Sequence, residues 1–349
     1  MTRRVLVARL DSLGDVLLAG PAVRAITAGR HGQPAQVWML CGPQGAPAAA
    51  LLPGVERVLT WASPWITDPA PAVTEEHLAA LQGMVRECAP DEAVILTSFH
   101  QSALPLALLL RHAGVPRITG ASVDYAGSLL DVRLRPGEDF PEDQPEAERA
   151  LAIASAAGYA LPAGDDGRLA VIPTADATAL TGPSPFVAVH PGAAVPARTW
   201  PAEHYRRAVR LLADAGIRTV VTGGPGEAGL TALVAADRAT DLGGRCTLPE
   251  LAAVLERASV VITGNTGPAH LAAAVRTPVV SLFSPVVPAI RWAPYKIPVE
   301  LLGDQQAPCR NTRARVCPVP GHPCLNEVTP ADVVRATLAL LRRDGEGAA

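Results

Sequence analysis

Aromatic side chains are scarce in this chain, making up 4% of its 349 residues. That scarcity argues against the base-stacking platforms by which single-stranded nucleic acids are held. Strong charge of one sign is also missing. A formal net charge of −3 gives nucleic acid no bulk electrostatic attraction. Long hydrophobic runs are absent too: the most apolar stretch, Ala103 to Leu110, is far short of a bilayer span and stops at Arg111. The opening Met1-Thr2-Arg3-Arg4 imitates the basic start of an export signal. The apolar run behind it, Val5 to Ala8 with Leu10 beyond Arg9, ends at Asp11 and reads as a first strand instead. The expected compartment is therefore the cytoplasm, where cysteines stay reduced. Neither half opens on the glycine fingerprint of dinucleotide binding. There is no Walker loop and no Asp-x-Asp metal motif.

The chain has six cysteines. Cys41, Cys88 and Cys246 are scattered and read as small buried residues. Cys309, Cys317 and Cys324 cluster late, with His322 between the last two, and three Cys with one His could complete a zinc set. The spacing lacks a Cys-x-x-Cys knuckle, which favours a Pro-rich loop packed by cysteines.

With 49% hydrophobic and 18% charged residues, the chain has the composition of a folded protein, and its length suits two domains. The most telling segment runs from Ser259 to Phe283. Val260-Val261-Ile262 is a β-branched run suited to a strand buried on both faces. Thr263-Gly264-Asn265-Thr266-Gly267 is a loop, and Pro268 sits where a helix begins without needing its N–H. Val279 to Leu282 makes the next parallel strand. Free N–H groups at such a loop favour phosphate.

The same alternation fills the rest. The first half predicts strands at 5–8, 37–40, 58–59, 93–97 and 116–119, and helices at 15–28, 75–88, 101–111 and 146–157. A stretch rich in Pro, Gly, Ala and Asp, 161–184, reads as a linker. Strands then return at 186–189 and 219–222, and helices at 202–215, 227–236 and 248–257. A last helix starts at Thr329-Pro330. The fold class is α/β with parallel sheets and helices on both faces. Ligands are then expected at the carboxyl ends of the strands.

Four loops carry candidate chemistry. In Arg9-Leu10-Asp11-Ser12-Leu13-Gly14-Asp15, Asp15 either complements the helix dipole or takes a proton from an acceptor hydroxyl. In His190-Pro191-Gly192-Ala193-Ala194, small residues admit a ligand and Arg198 just beyond can meet phosphate, while His190 equally reads as a core histidine. In Gly223-Gly224-Pro225-Gly226-Glu227, Glu227 either accepts from ribose hydroxyls or caps the helix. In Asn265-Thr266-Gly267-Pro268-Ala269-His270, His270 either donates to phosphate or caps its own helix.

These loops, with Pro21-Ala22-Val23-Arg24-Ala25, resemble glycosyltransferase family 9, the ADP-heptose:lipopolysaccharide heptosyltransferases and their relatives. The segment ending at Cys324 and the Val328-Thr329-Pro330 helix start resemble the heptosyltransferase II branch. The likeness runs in order over nearly the whole chain. It implies a GT-B fold, two Rossmann-like doubly wound domains facing an interdomain cleft: 1–165 for the acceptor and 185–328 for the nucleotide sugar. Helix 329–349 is then expected to cross back to the first domain. It implies Asp15 as general base. It places Gly192, Ala193 and Arg198 at the phosphates, Glu227 at the ribose, Thr266, Gly267 and His270 at the diphosphate, and His190, Gly223 and Asn265 in the same donor site. One position departs, since the family usually has Asp where this chain has Asn265. Asn keeps an acceptor oxygen and loses the charge.

The implied activity is inverting, metal-independent transfer of a heptose or related sugar from an ADP-sugar donor, without cofactor, to a glycan or glycolipid. The implied protein is a monomer with no nucleic-acid partner, in the cytoplasm or at the inner face of a membrane. Three other readings stand beside it: a B-type glycosyltransferase using a UDP- or GDP-sugar, a non-catalytic sugar-nucleotide-binding homologue, and, ranked lowest, a sugar-nucleotide epimerase. Arg3, Arg4, Arg9, Arg111 and Arg117 either meet an anionic glycolipid or are solvated surface.

Overall fold

The computed structural model describes residues 2–172 and 176–347. Positions 173–175, in the stretch read as a linker, lie outside it, as do Met1 and the last two residues. The chain divides into two compact units between Ile172 and Pro173.

The first unit holds strands β1 (Arg3–Arg9), β2 (Ala35–Cys41), β3 (Val55–Thr60), β4 (Glu92–Ile95), β5 (Ile118–Ala121) and β6 (Val132–Leu134). Its helices are α1 (Leu13–Leu18), α2 (Gly20–Ala28), α3 (Ala46–Ala49), α4 (Glu75–Cys88), α5 (Leu104–His112) and α6 (Glu146–Ala156). The sheet order is β3-β2-β1-β4-β5-β6, parallel throughout.

The second unit holds α7 (Thr178–Thr181), β7 (Val187–His190), α8 (Ala202–Asp214), β8 (Thr219–Gly223), α9 (Ala228–Ala235), β9 (Thr240–Gly243), α10 (Leu248–Arg257) and β10 (Val260–Gly264). It continues with α11 (Gly267–Ala274), β11 (Val279–Leu282), α12 (Ala289–Trp292), β12 (Val299–Leu302), α13 (Pro323–Asn326) and α14 (Pro330–Gly347). Its sheet, β12-β11-β10-β7-β8-β9, is also parallel and repeats the doubly wound order of the first. In each sheet the order reverses between the first and fourth strands of the unit. That puts the switch points at β1/β4 and β7/β10, where crossovers diverge and leave room for a ligand.

Local sequence explains most boundaries. Thr74 caps α4 by accepting from the His77 N–H at 3.1 Å, with Glu75 and Glu76 in the first turn and Arg86 in the last. Thr247 and Glu250 form a capping box at α10. The single helix expected over 15–28 is two helices broken at Ala19, because Pro21 has no N–H to continue the ladder and must start a new first turn. Strands β6, β9 and β12, not anticipated from the sequence, are sheet edges. Partly exposed and short, they carry no continuous apolar run.

The last helix has an apolar side within its own unit. Val333, Ala336 and Leu340 of α14 lie in the second unit's core with Trp200 and Val280, and Trp200 Nε1 donates to the Val328 carbonyl at 3.0 Å. Among the described residues, no helix is long and apolar enough to cross a membrane.

Candidate functional site

The loop after β1 is built around a buried guanidinium. Arg9 is 1% exposed, and its Nη2 lies 3.1 Å from Asp11 Oδ2, 3.2 Å from Asp15 Oδ1 and 3.5 Å from Glu146 Oε2. Ser12 Oγ donates to the other Asp15 oxygen at 2.7 Å. Across the switch point, Ser98 Oγ from the loop after β4 donates to Asp11 Oδ2 at 3.0 Å. Asp15 is thus held on both oxygens, yet its side chain keeps 17% of its surface open to solvent. Asp11 and Glu146 are sealed, and burial pushes them up to about 6 and about 7, with Arg9 opposing. Next to Glu146, burial draws the Arg149 guanidinium below its usual range; its Nε donates to the Thr97 carbonyl at 2.9 Å.

Glu146 and Ser98 escaped the sequence reading. Glu146 opens a helix and reads as an ordinary dipole-compensating acid. Only the sheet order, which brings the start of α6 beside β1, gives it another role. The arginines considered for an anionic glycolipid are placed otherwise. Arg3 and Arg4 start β1 and meet Glu92 and Asp91, while Arg117 precedes β5 and Arg111 pairs with Asp131. All four stand at the amino-terminal edge of the sheet, opposite the Asp15 loop, and Arg9 is interior.

The second unit brings its residues together at the carboxyl edge around its own switch point. His190 ends β7, and its Nδ1 is 3.0 Å from Thr222 Oγ1 on β8. Its Nε2 is 3.7 Å from Glu227 Oε2. Burial holds the imidazole down at about 4, with Glu227 opposing, so the ring is neutral near pH 7. Glu227 also accepts the Gly224 N–H at 2.7 Å. Gly192 makes room for it: a Cβ there would lie 1.9 Å from Glu227 Oε1. Gly223 is similarly crowded, since its Cβ would meet Thr231 Cγ2 at 2.6 Å. A pocket of about 430 Å³ opens here, lined by His190, Gly223, Gly224, Glu227, Thr247 and Leu251 among others. Cys246, read as buried, is half-buried at its rim.

His190 pairs with Thr263 across β7 and β10, so the loop bearing Asn265 rises from the neighbouring strand. Arg198 ends a short 3₁₀ turn whose carbonyl would lie 3.1 Å from a Cβ on Gly264, and it therefore sits against that loop. Ala193 is half-buried. Thr266 is the N-cap of α11 without using its side chain, Gly267 and Pro268 open the helix, and no acid occupies its first turn. The amino end is thereby left available to an anion. His270 is 3% exposed and Asn265 4%, and Asn265 Nδ2 has no hydrogen-bond partner. The three late cysteines are free thiols, Cys309 and Cys324 lie in the core, and no metal-holding group of His, Cys, Asp or Glu occurs among the described residues.

A family model described as glycosyltransferase family 9 (heptosyltransferase) matches residues 81–322. Lipopolysaccharide heptosyltransferase 2 of Escherichia coli K12 is 30% identical over 224 residues, 58% of this chain and 62% of that protein. Lipopolysaccharide heptosyltransferase 3 of the same strain is 28% identical over 172 residues; the chain thus spans about half to three fifths of these relatives. Among solved structures, E. coli ADP-heptose lipopolysaccharide heptosyltransferase II superposes with a TM-score of 0.74 at 21% identity, covering 98% of this chain and 99% of that one. E. coli heptosyltransferase WaaC with ADP gives 0.66 at 20%, covering 98% of each. Those likenesses bear on the fold, and the two doubly wound units are those of the expected GT-B class. From the match over residues 81–322, the chain belongs to glycosyltransferase family 9.

Proposed function

We propose that the protein is an inverting glycosyltransferase that moves a heptose or related sugar from an ADP-activated donor to a hydroxyl of a glycan. Asp15 is the general base: it removes the proton of the acceptor hydroxyl as the oxygen attacks the anomeric carbon, and the C–O bond to the diphosphate breaks on the opposite face. The observation that carries this reading is the placement of Asp15. It is the most exposed member of a carboxylate cluster fixed by a buried arginine, at a switch point of the sheet.

The donor side rests on the second unit. Glu227, pinned beside Gly192 and Gly224, offers its carboxylate to ribose hydroxyls. The uncapped start of α11 and Arg198 take the negative charge that develops on the leaving diphosphate, with His270 in the helix's first turn. These groups supply the electrostatic stabilisation that a divalent ion gives elsewhere. The solved WaaC relative was obtained with ADP, which favours the same nucleotide here.

Asp15→Asn keeps the size of the side chain and removes the base. Transfer should fall by at least about 10²-fold while calorimetry shows ADP binding unchanged. Turnover equal to wild type would remove Asp15 from the role. Asn265 favours a second reading, a sugar-nucleotide binder without turnover. Saturating ADP-heptose with an acceptor panel distinguishes them, since the binder would show affinity and no product.

A further inference from the structure

The guanidinium behind Asp15 is shared. Arg9 Nη2 donates to Asp15 Oδ1 at 3.2 Å and to Glu146 Oε2 at 3.5 Å, and Glu146 reaches it from 137 positions along the chain. Asp11 Oδ2 stands 3.1 Å from the same nitrogen. All three acids thus meet the cation at one corner, inside the protein, while its Nε has no hydrogen-bond partner. Facing Glu146 are Arg9 on β1, Asp11 and Asp15 beyond the end of that strand, and Arg149 one turn on in α6. Arg149 is committed elsewhere: Nη1 donates to Glu142 Oε1 at 3.1 Å and Nε to the Thr97 carbonyl at 2.9 Å. Among the described residues the Glu146 carboxylate has no hydrogen-bond partner besides Arg9.

Local structure does not ask for an acid at this place. A first-turn carboxylate complements the helix dipole, and it does so without leaving solvent. Glu146 is 1% exposed instead, where a charge is costly unless its partners are close and well aimed. Glutamine would fill the same space, keep an acceptor oxygen for Arg9 and carry no charge. An ionisable group placed at such cost beside a candidate base, and joined to it through one cation, has the pattern of a functional group rather than a packing one.

We propose that Glu146 is a positioning residue for the transfer step: its charge shares Arg9 with Asp15, so that Asp15 keeps more of its proton affinity than an undivided guanidinium would leave it. Like charges on one cation raise each other's affinity for a proton. A carboxylate that holds a proton more firmly is the stronger base toward an acceptor hydroxyl. Burial lifts Glu146 to about 7, so the sharing depends on pH. Below that value Glu146 is neutral and Arg9 faces only Asp11 and Asp15 as charges. Above it Glu146 is ionised and Asp15 becomes the stronger base. This rests on the reading of Asp15 as the general base.

The test compares the full chain with Glu146→Gln, which removes the charge and keeps the shape, and with Asp15→Asn. In protein carrying carbon-13 at its aspartate carboxyls, the Asp15 resonance is the one lost in Asp15→Asn. In wild type it should shift in a step of its own and again at about 7, where it reports Glu146; the step at about 7 should vanish in Glu146→Gln. Asp11 is present in both proteins, so the difference belongs to Glu146. Hydrolysis of ADP-heptose, with water in place of the acceptor hydroxyl and ADP release as the readout, should rise severalfold in kcat through the same pH in wild type. Glu146→Gln should lose that rise, with the KM for ADP-heptose and the calorimetric affinity for ADP unchanged. A side chain that only packs would leave both curves as in wild type. Identical Asp15 titrations in the two proteins, or identical kcat profiles, overturn the proposal. If Asp15→Asn is inactive in that case, the base reading stands and only the role of Glu146 falls. Hydrolysis by Asp15→Asn at the wild-type rate strikes the base reading itself.

Discussion

Arg9 sets the electrostatics of the first unit. Three carboxylates converge on one of its nitrogens inside the protein, so removing the guanidinium would leave uncompensated buried charge, a loss of about 3–5 kcal/mol where such pairs have been broken. The acids also pay for burial individually. Glu146 sits at about 7 rather than 4.5, chiefly through desolvation. Between those values the folded chain keeps a proton that the unfolded chain releases, so stability is full below 4.5 and falls as pH rises to about 7. Glu146→Gln removes that loss. It should melt together with wild type near pH 4.5 and a few degrees above it at about pH 8, as read by thermal denaturation. A variant less stable than wild type at the higher pH would mean that the Arg9 ion pair outweighs the burial cost. His190 has the opposite sign: held at about 4 against 6.5, it contributes stability above 6.5 that is lost as pH falls toward 4.

Among the elements, central and edge strands differ in what they contribute. Leu6 on β1 is fully buried in the first unit's core, while Leu301 on edge strand β12 is 37% exposed. Leu6→Ala should cost about 2–5 kcal/mol in urea denaturation, and Leu301→Ala should cost well under that. Equal losses would contradict the assignment of β12 as an edge. The same contrast explains which elements were legible. β1, β2 and β10 are buried on both faces and announce themselves as apolar runs, and α4 and α10 carry their caps in sequence. β6, β9 and β12 make one lateral partnership each and need no apolar run. What assigns them to the sheets is the neighbour they pair with.

For the molecule as a whole, the same strand order appears twice, and each unit has candidate residues gathered at its own switch point. The parts should therefore fail separately. Gly192→Ala pushes the Glu227 carboxylate out of place and should weaken ADP binding by about tenfold or more. Combined with Asp15→Asn, the double variant should show the ADP affinity of Gly192→Ala alone, because the two substitutions lie in different units and independent sites add. An ADP affinity that depended on Asp15 would show coupling that this division of labour does not contain.

The sequence by itself determined the α/β class, the two-part organisation and the four glycine- or proline-bearing loops, because buried parallel strands and helix starts are written in local periodicity and capping. It also named Asp15, Glu227 and the start of α11 as the groups to watch. Only the tertiary structure decided which acids surround Asp15, that Glu227 lies against Gly192, and that Arg3, Arg4, Arg111 and Arg117 stand at the wrong edge for an anionic acceptor. Those outcomes depend on strand order and direction. They set which ends of distant segments meet, and nothing in a run of neighbouring residues encodes them.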